Sequence, residues 1–286
     1  MNAPYLDWIR KLEQWWAEGA TLPHGPFPPS PPSPPKPDAP RALFFAPHPD
    51  DESITGALAV RLLHEAGLRI VNIAVTLGSR KEQRPRRLTE LRHACAFLGF
   101  ELELPAPEGF ENVTPEARRT DPAHWHALTR RIAGLIQQHR PVVVFCPHAH
   151  DAHPTHIGTH DLVMDALRLA PPNWDCRLIE TEFWAAMEDP NLLVEIPPEL
   201  LARMMAATAC HAGEVQRNPY HLRLPAWAMD NVRRGAERVG GFGSTAPGFL
   251  FGQLFRMRRA HRNEWLPAPP PQKLLPASVS AATLLA

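Results

Sequence analysis

No stretch of the 286 residues approaches the ~18 consecutive apolar side chains that a membrane-spanning helix requires. Net charge is missing as well, because 30 basic residues balance 30 acidic ones. Without a bulk field, nothing in the composition would hold a nucleic acid backbone or an anionic bilayer. Cysteine is scarce: Cys95, Cys146, Cys176 and Cys210 are scattered without a CxxC pair, which argues against a disulfide framework or a thiolate zinc site and leaves buried thiols. A GxGxxG after a strand is absent, and Gly240-Gly241-Phe242-Gly243 lies outside any strand–helix–strand unit, which argues against a dinucleotide site. The segment from Met1 to Gly19 carries Asp7, Glu13 and three tryptophans in place of a signal-peptide core, so a cytoplasmic protein is expected.

What is present begins with a hydrophobic share of 44%, enough for a sizeable core, and 34 prolines, about double the usual ~5% share. The proline excess must sit outside helices and sheets. Residues 1–21 read as an amphipathic helix, with Trp8, Ile9, Leu12, Trp15 and Trp16 at helical spacing and in need of a surface to dock on. Residues 22–40, centred on Pro28-Pro29-Ser30-Pro31-Pro32-Ser33-Pro34-Pro35, read as an extended linker or strap. Residues 267–286 are proline-rich and then small and apolar, so a flexible or loosely docked tail is expected there.

Residues 41–266 between these segments read as one domain. Leu43 to Ala46, Ile70 to Thr76, Leu102 to Leu104, and Val142 to Cys146 are strand-like runs; Ile54 to Leu63, Arg86 to Leu98, His124 to His139 and Ile157 to Leu169 have helical spacing between or after them. Further strands are expected over Arg177–Trp184 and Leu192–Ile196, a helix over Glu199–Cys210, and an amphipathic end over Gly248–Arg259. The alternation implies an α/β fold: a Rossmann-like, mostly parallel sheet flanked by helices, in a single domain.

In such sheets functional groups collect on the loops at the carboxyl ends of strands. One such loop is Pro47-His48-Pro49-Asp50-Asp51-Glu52, and a second runs from His148 through Asp151, His153 and Thr155 to His156. Both are dense in metal-ligand side chains. A divalent ion such as zinc accepts imidazole nitrogen and carboxylate oxygen, and a catalytic site keeps three protein ligands and one open position. His48 and Asp51, three apart where the chain enters a helix, can point to the same side. The adjacent Asp50 diverges and is free to take a proton from a water. His156, at the head of the second helix, is the expected third ligand. Either loop alone also reads as helix capping or satisfied polar side chains; their presence on equivalent strand ends favours the metal.

These residues resemble the LmbE-like, or PIG-L, family of zinc-dependent deacetylases, which remove the N-acetyl group from glucosamine-containing substrates. Ala46-Pro47-His48-Pro49-Asp50-Asp51-Glu52 is similar to the family's H-P-D-D-E signature, and His153-Pro154-Thr155-His156 to its later H-P-D-H. Thr76-Leu77-Gly78 resembles its T-x-G element, and Arg87, Glu90, Ala94, Leu98 and Gly99 its R-x-x-E helix. The likeness is strong over residues 41–170 and faint to about 215, where Ala209-Cys210-His211 loosely resembles a late A-x-x-H element.

By position, the resemblance implies one zinc ion on His48, Asp51 and His156, Asp50 as general base, and His153 as an imidazolium that stabilises the oxyanion and protonates the leaving amine. The implied substrate is a small N-acylated amino-sugar conjugate. Thr155 departs from the family's aspartate, and Asp151, two residues before His153, is the expected replacement carboxylate. Arg80, Arg84 and Arg87, in the basic run after the second strand, are expected to bind an anionic substrate group. His148, His150 and His160 read as residues around the site or at the surface. Two other readings stay open: a metal-dependent hydratase of an unsaturated acid, and a catalytically degenerate binding module.

Overall fold

Val, Ile and Phe runs with little polar interruption become strands buried on both faces, and the amphipathic segments between them become the covering helices. The computed structural model describes residues 3–29, 35–170, 174–261, 264–267, 270 and 272–285. Its strands are β1 (Arg41–Ala46), β2 (Arg69–Ala74), β3 (Glu101–Glu103), β4 (Val143–Pro147), β5 (Arg177–Thr181), β6 (Leu192–Glu195), β7 (Gly252–His261), β8 (Glu264–Pro267) and β9 (Leu274–Leu275). The helices are α1 (Ala3–Gly19), α2 (Asp51–Ile54), α3 (Ala57–Glu65), α4 (Arg84–Leu98), α5 (Pro115–Thr120), α6 (Pro122–His139), α7 (Pro154–Leu167), α8 (Pro198–Ala209), α9 (Ala212–Arg217) and α10 (Tyr220–Arg238).

The sheet runs β3-β2-β1-β4-β5-β7-β6-β9, with β8 paired to β7. Pairs among β1 to β5 are parallel, while β7 runs antiparallel to β5 and β6. The order 3-2-1-4-5 reverses direction between β1 and β4, which opens a crevice at the carboxyl ends of those two strands. Alternation along β1 feeds both layers of core. Ala42, Phe44 and Ala46 pack with Leu58, Leu62, Leu91 and Leu98 from α3 and α4. Leu43 and Phe45 pack with Ile132 and Ile136 of α6 and Leu162 and Val163 of α7. Burying a phenylalanine such as Phe44 or Phe45 contributes about 2–3 kcal/mol, so β1 is fixed firmly enough to aim the loop that follows it.

The α/β reading holds, and the differences from expectation are local. The single helix expected from Ile54 is broken into α2 and α3 at Gly56, where a Cβ would lie 2.1 Å from the Glu52 carbonyl oxygen. The end expected to be amphipathic is strand β7. Helix α10 went unpredicted; it carries Pro225 inside it and buries Leu224, Ala228 and Val232.

The tail is not loose where it is described. Leu275, Ala281 and Leu284 are buried. Arg61 donates to the carbonyls of Leu275, Pro276 and Val279, and Arg177 to those of Leu284 and Leu285. Helix α1 docks only lightly: none of its residues is fully buried, and Trp15, Trp16 and Gly19 line a groove with Met205 of α8 and Leu222 of α10. Its Trp16 ring sits 5.6 Å under the Arg223 guanidinium. Residues 30–34 at the centre of the proline-rich segment lie outside the described residues, but its flanks are held: the Gly25 amide donates to the Ala209 carbonyl, and Arg69 to that of Pro37. Among the described residues no helix is long and apolar enough to cross a membrane.

Candidate active site

The two histidine loops leave β1 and β4, the strands that flank the crevice, so the sheet topology itself brings them together. The first loop is braced from several sides. Thr76 donates its amide and its hydroxyl to the Pro47 carbonyl, at 3.2 and 2.7 Å, and the Gly78 amide donates back to that hydroxyl. Arg87 donates to the carbonyls of Pro49 and Leu77. Asp50 has φ of +116°, a conformation that side chains rarely adopt. Its amide donates to Glu52 Oε2 at 3.0 Å, while Glu52 Oε1 lies 2.8 Å from His211 Nε2, both side chains being fully buried. The strained backbone at Asp50 is therefore tied to the end of α8.

His48 Nδ1, His156 Nε2 and Asp51 Oδ2 form a triangle with edges of 3.3, 3.4 and 3.6 Å. Ligands about 2.0–2.1 Å from a tetrahedral zinc ion lie about 3.3–3.4 Å apart, so the triangle has the size of one face of such a site. Asp51 Oδ1 is buried with no hydrogen-bond partner among the described residues, which also fits a carboxylate whose partner is a cation. One ring nitrogen from each of His48, His153 and His156 also falls within 4.8 Å of the others, a wider group that fits a single ion less well. Burial alone would raise Asp51, but His156 and His48 beside it outweigh this and hold it below the usual carboxylate range. Asp50 behaves oppositely, because burial and the neighbouring Asp51 charge push it well above that range. A carboxyl raised in this way holds a proton more strongly than a solvated one, which suits a group that has to accept a proton and return it.

The second loop corrects the expectation for Asp151. Its Oδ2 lies 2.6 Å from His156 Nδ1, and its Oδ1 accepts from the amides of Phe183, Trp184 and Ala185 at 3.0, 2.8 and 3.1 Å. The carboxylate therefore orients His156 and leaves His153 without one. The reason is helical geometry, since the first turn of α7 carries His156 back over Asp151 while His153 is the cap residue before it. Burial lowers His153 to about 4, with help from His48 and His156, so its ring is neutral at pH 7 and not the expected imidazolium. Its Nδ1 accepts from the Thr155 amide at 3.2 Å, which puts the ring proton on Nε2.

A cavity of about 530 Å³ opens over these groups, lined by His48, Asp50, Asp51, His153 and Thr155 and walled by Phe183, Trp184 and Tyr220. Trp184 is 48% exposed and stacks on His153 with ring centroids 5.7 Å apart. Arg84 and Arg87 line the same cavity, but Arg84 is matched by Glu108 and Glu111, and Arg87 by backbone carbonyls and Glu214. Arg80 lies outside it, in an adjoining chamber. His148 is buried against Asp151, His160 pairs with Glu180, and His150 is exposed. Sequence reasoning passed over Phe183, Trp184, Glu214, Arg217 and Tyr220, which come from segments without a recognisable motif, and it gave Glu52 and His211 no partner.

A family model described as "PIG-L: GlcNAc-PI de-N-acetylase" matches residues 43–167. A 1D-myo-inositol 2-acetamido-2-deoxy-alpha-D-glucopyranoside deacetylase of Thermomonospora curvata is 30% identical over 195 residues, covering 58% of this chain and 63% of that protein. A protein of the same description from Thermobifida fusca is 30% identical over 200 residues, covering 58% of this chain and 67% of that protein. The chain spans between 50% and 67% of the length of the curated relatives it matches. Among solved structures, the N,N'-diacetylchitobiose deacetylase from Pyrococcus horikoshii superposes with a TM-score of 0.56 at 18% identity, over 79% of this chain and 86% of that one. Likeness at that identity establishes the shared fold.

Proposed function

This chain belongs to the PIG-L (GlcNAc-PI de-N-acetylase) family, and from that premise we propose that it is a metal-dependent hydrolase that removes the acyl group from an N-acylated amino sugar. The observation that carries this reading is the 3.3–3.6 Å triangle of His48 Nδ1, Asp51 Oδ2 and His156 Nε2 at the crevice between β1 and β4, with the raised carboxyl of Asp50 beside it.

In this reading His48, Asp51 and His156 hold one divalent ion, and Asp151 fixes the His156 ring so that Nε2 presents its lone pair. Zinc, when bound there, supplies a Lewis acid for the acyl carbonyl and lowers the pKa of water. Asp50 takes the proton of the attacking water and returns it to the leaving nitrogen as the C–N bond breaks, giving a carboxylate and a free amine. His153 donates its Nε2 proton to the oxygen that becomes negative. The exposed face of Trp184 gives a sugar ring an apolar surface to lie on beside His153.

The test is acetate release from methyl N-acetyl-glucosaminide by zinc-loaded protein. Wild type is expected to release acetate and amine in equal amounts, and D50N to lose at least about 100-fold in kcat while still binding zinc. Zinc-loaded wild type that hydrolyses no amide, yet bleaches the ultraviolet absorbance of a conjugated unsaturated diacid, would replace this reading with the hydratase.

A further inference from the structure

Beside the central cavity lies a second chamber of about 290 Å³, and the two share Ser79, Arg87, Glu214 and Arg217 in their walls. Four guanidinium groups line the second chamber, those of Arg80, Arg86, Arg87 and Arg217. Two carboxylates answer them. Glu214 lies 2.8 Å from Arg217, 3.5 Å from Arg87 and 3.6 Å from Arg86, and Glu90 lies 2.7 Å from Arg86. Arg80 is exposed and has no carboxylate partner among the described residues. Arg87 Nε is the atom that faces Glu214 at 3.5 Å, and it makes no closer hydrogen bond among the described residues.

The surplus is local to this chamber. The other cations of the same run are matched elsewhere, Lys81 by Glu111, and Arg84 by Glu108 and Glu111. Glu214 is outnumbered by its own partners, so each arginine keeps donors to spare for a further acceptor. A cleft with walls of low dielectric concentrates such a field, and guanidinium groups bind planar or tetrahedral oxyanions through paired N–H donors.

We propose that this chamber is a subsite for an oxyanion, carboxylate or phosphate, carried by the group attached to the amino sugar, and that Arg80, Arg87 and Arg217 bind it. The chain then selects acidic N-acyl amino-sugar conjugates over neutral ones. This rests on the deacetylase reading of the central cavity: the sugar occupies that cavity, and its substituent reaches past Arg87 and Glu214 into the chamber.

The experiment compares kcat/KM for acetate release from methyl N-acetyl-glucosaminide, N-acetylglucosamine 1-phosphate and the carboxymethyl N-acetyl-glucosaminide. Wild type, R80Q and R217Q are each measured at low salt and at 0.5 M salt, a concentration at which exposed charges are screened within about 5 Å. Wild type is expected to prefer at least one acidic substrate by about tenfold or more, the preference shrinking in salt. Each glutamine variant is expected to lower the acidic-to-neutral ratio by about tenfold, and the phosphate and carboxylate arms tell which oxyanion fits.

Equal kcat/KM on acidic and neutral substrates, with the neutral one turned over, would overturn the subsite and leave the deacetylase reading standing. If no substrate releases acetate, the deacetylase reading falls and calorimetry with inorganic phosphate judges the chamber. Binding that weakens at least about tenfold in R80Q supports it, and equal binding by both proteins refutes it. Arg80 is exposed, so R80Q is expected to fold as wild type does.

Discussion

Asparagine at position 151 keeps the shape of the side chain and one carbonyl oxygen, but it places an NH₂ group where Oδ2 now lies 2.6 Å from His156 Nδ1. The other oxygen is already committed to the amides of Phe183, Trp184 and Ala185. In D151N the carbonyl therefore stays on those three donors, and the NH₂ faces the ring. Two donors cannot share one hydrogen bond, so the imidazole moves its proton to Nε2, the nitrogen that has to be bare to hold a cation. Carboxylates that orient a ligating histidine change metal affinity by about 10- to 100-fold, or about 1.4–2.8 kcal/mol. The expected result is a zinc Kd raised by that factor, read by competition against a chromophoric chelator, with the circular dichroism spectrum of the folded protein kept. An unchanged Kd in folded D151N would refute the reasoning, because His156 Nε2 would then not be a ligand whose lone pair Asp151 secures.

Glu180 is fully buried; burial would raise it, but hydrogen bonds from His160 and Arg256 and the Arg256 charge overcome this and hold it at about 2. Its contribution is present above its ordinary value of 4.5 and is lost as pH falls toward about 2; the span corresponds to about 3 kcal/mol. Urea unfolding should accordingly find E180Q about 3 kcal/mol less stable at pH 7, with the gap closing below about pH 4.5, and a gap that does not vary with pH would contradict this. Deleting residues 272–286 removes buried Leu275 and Leu284 and leaves Arg61 and Arg177 without those carbonyl acceptors. A loss of at least about 3 kcal/mol in unfolding free energy is expected, and full retention of stability would mean that the tail is loosely attached. At Gly158 in α7 a Cβ would lie 2.4 Å from the Val113 carbonyl oxygen, so G158A should lose about 1–3 kcal/mol by thermal unfolding, whereas a neutral effect would show that the helix moves aside freely.

The half of the site that follows β1 is legible in the sequence because His48, Asp50 and Asp51 are neighbours in the chain and a strand end aims them. His156 is legible for the same reason after β4. The partner of Asp151 is not, since sequence proximity to His153 says nothing about which ring the first turn of α7 swings over it. The Glu52–His211 contact joins residues 159 apart and depends on where α8 ends. The tail misleads because most of its residues are proline or small; besides the buried Leu275 and Leu284, what anchors it are its backbone carbonyls, which accept from Arg61 and Arg177, residues outside the tail. Helix α10 escapes notice because Pro225, inside it, is the residue that ordinarily ends a helix.

The measurement that bears most directly on the site is zinc stoichiometry per chain after dialysis, in wild type and in the single alanine variants of His48, Asp51, His156 and His153. The 3.3–3.6 Å triangle predicts about one zinc in wild type and in H153A, and loss of the ion from H48A, D51A and H156A. Zinc kept by D51A and lost from H153A would contradict it and move the site to the wider group of three histidines.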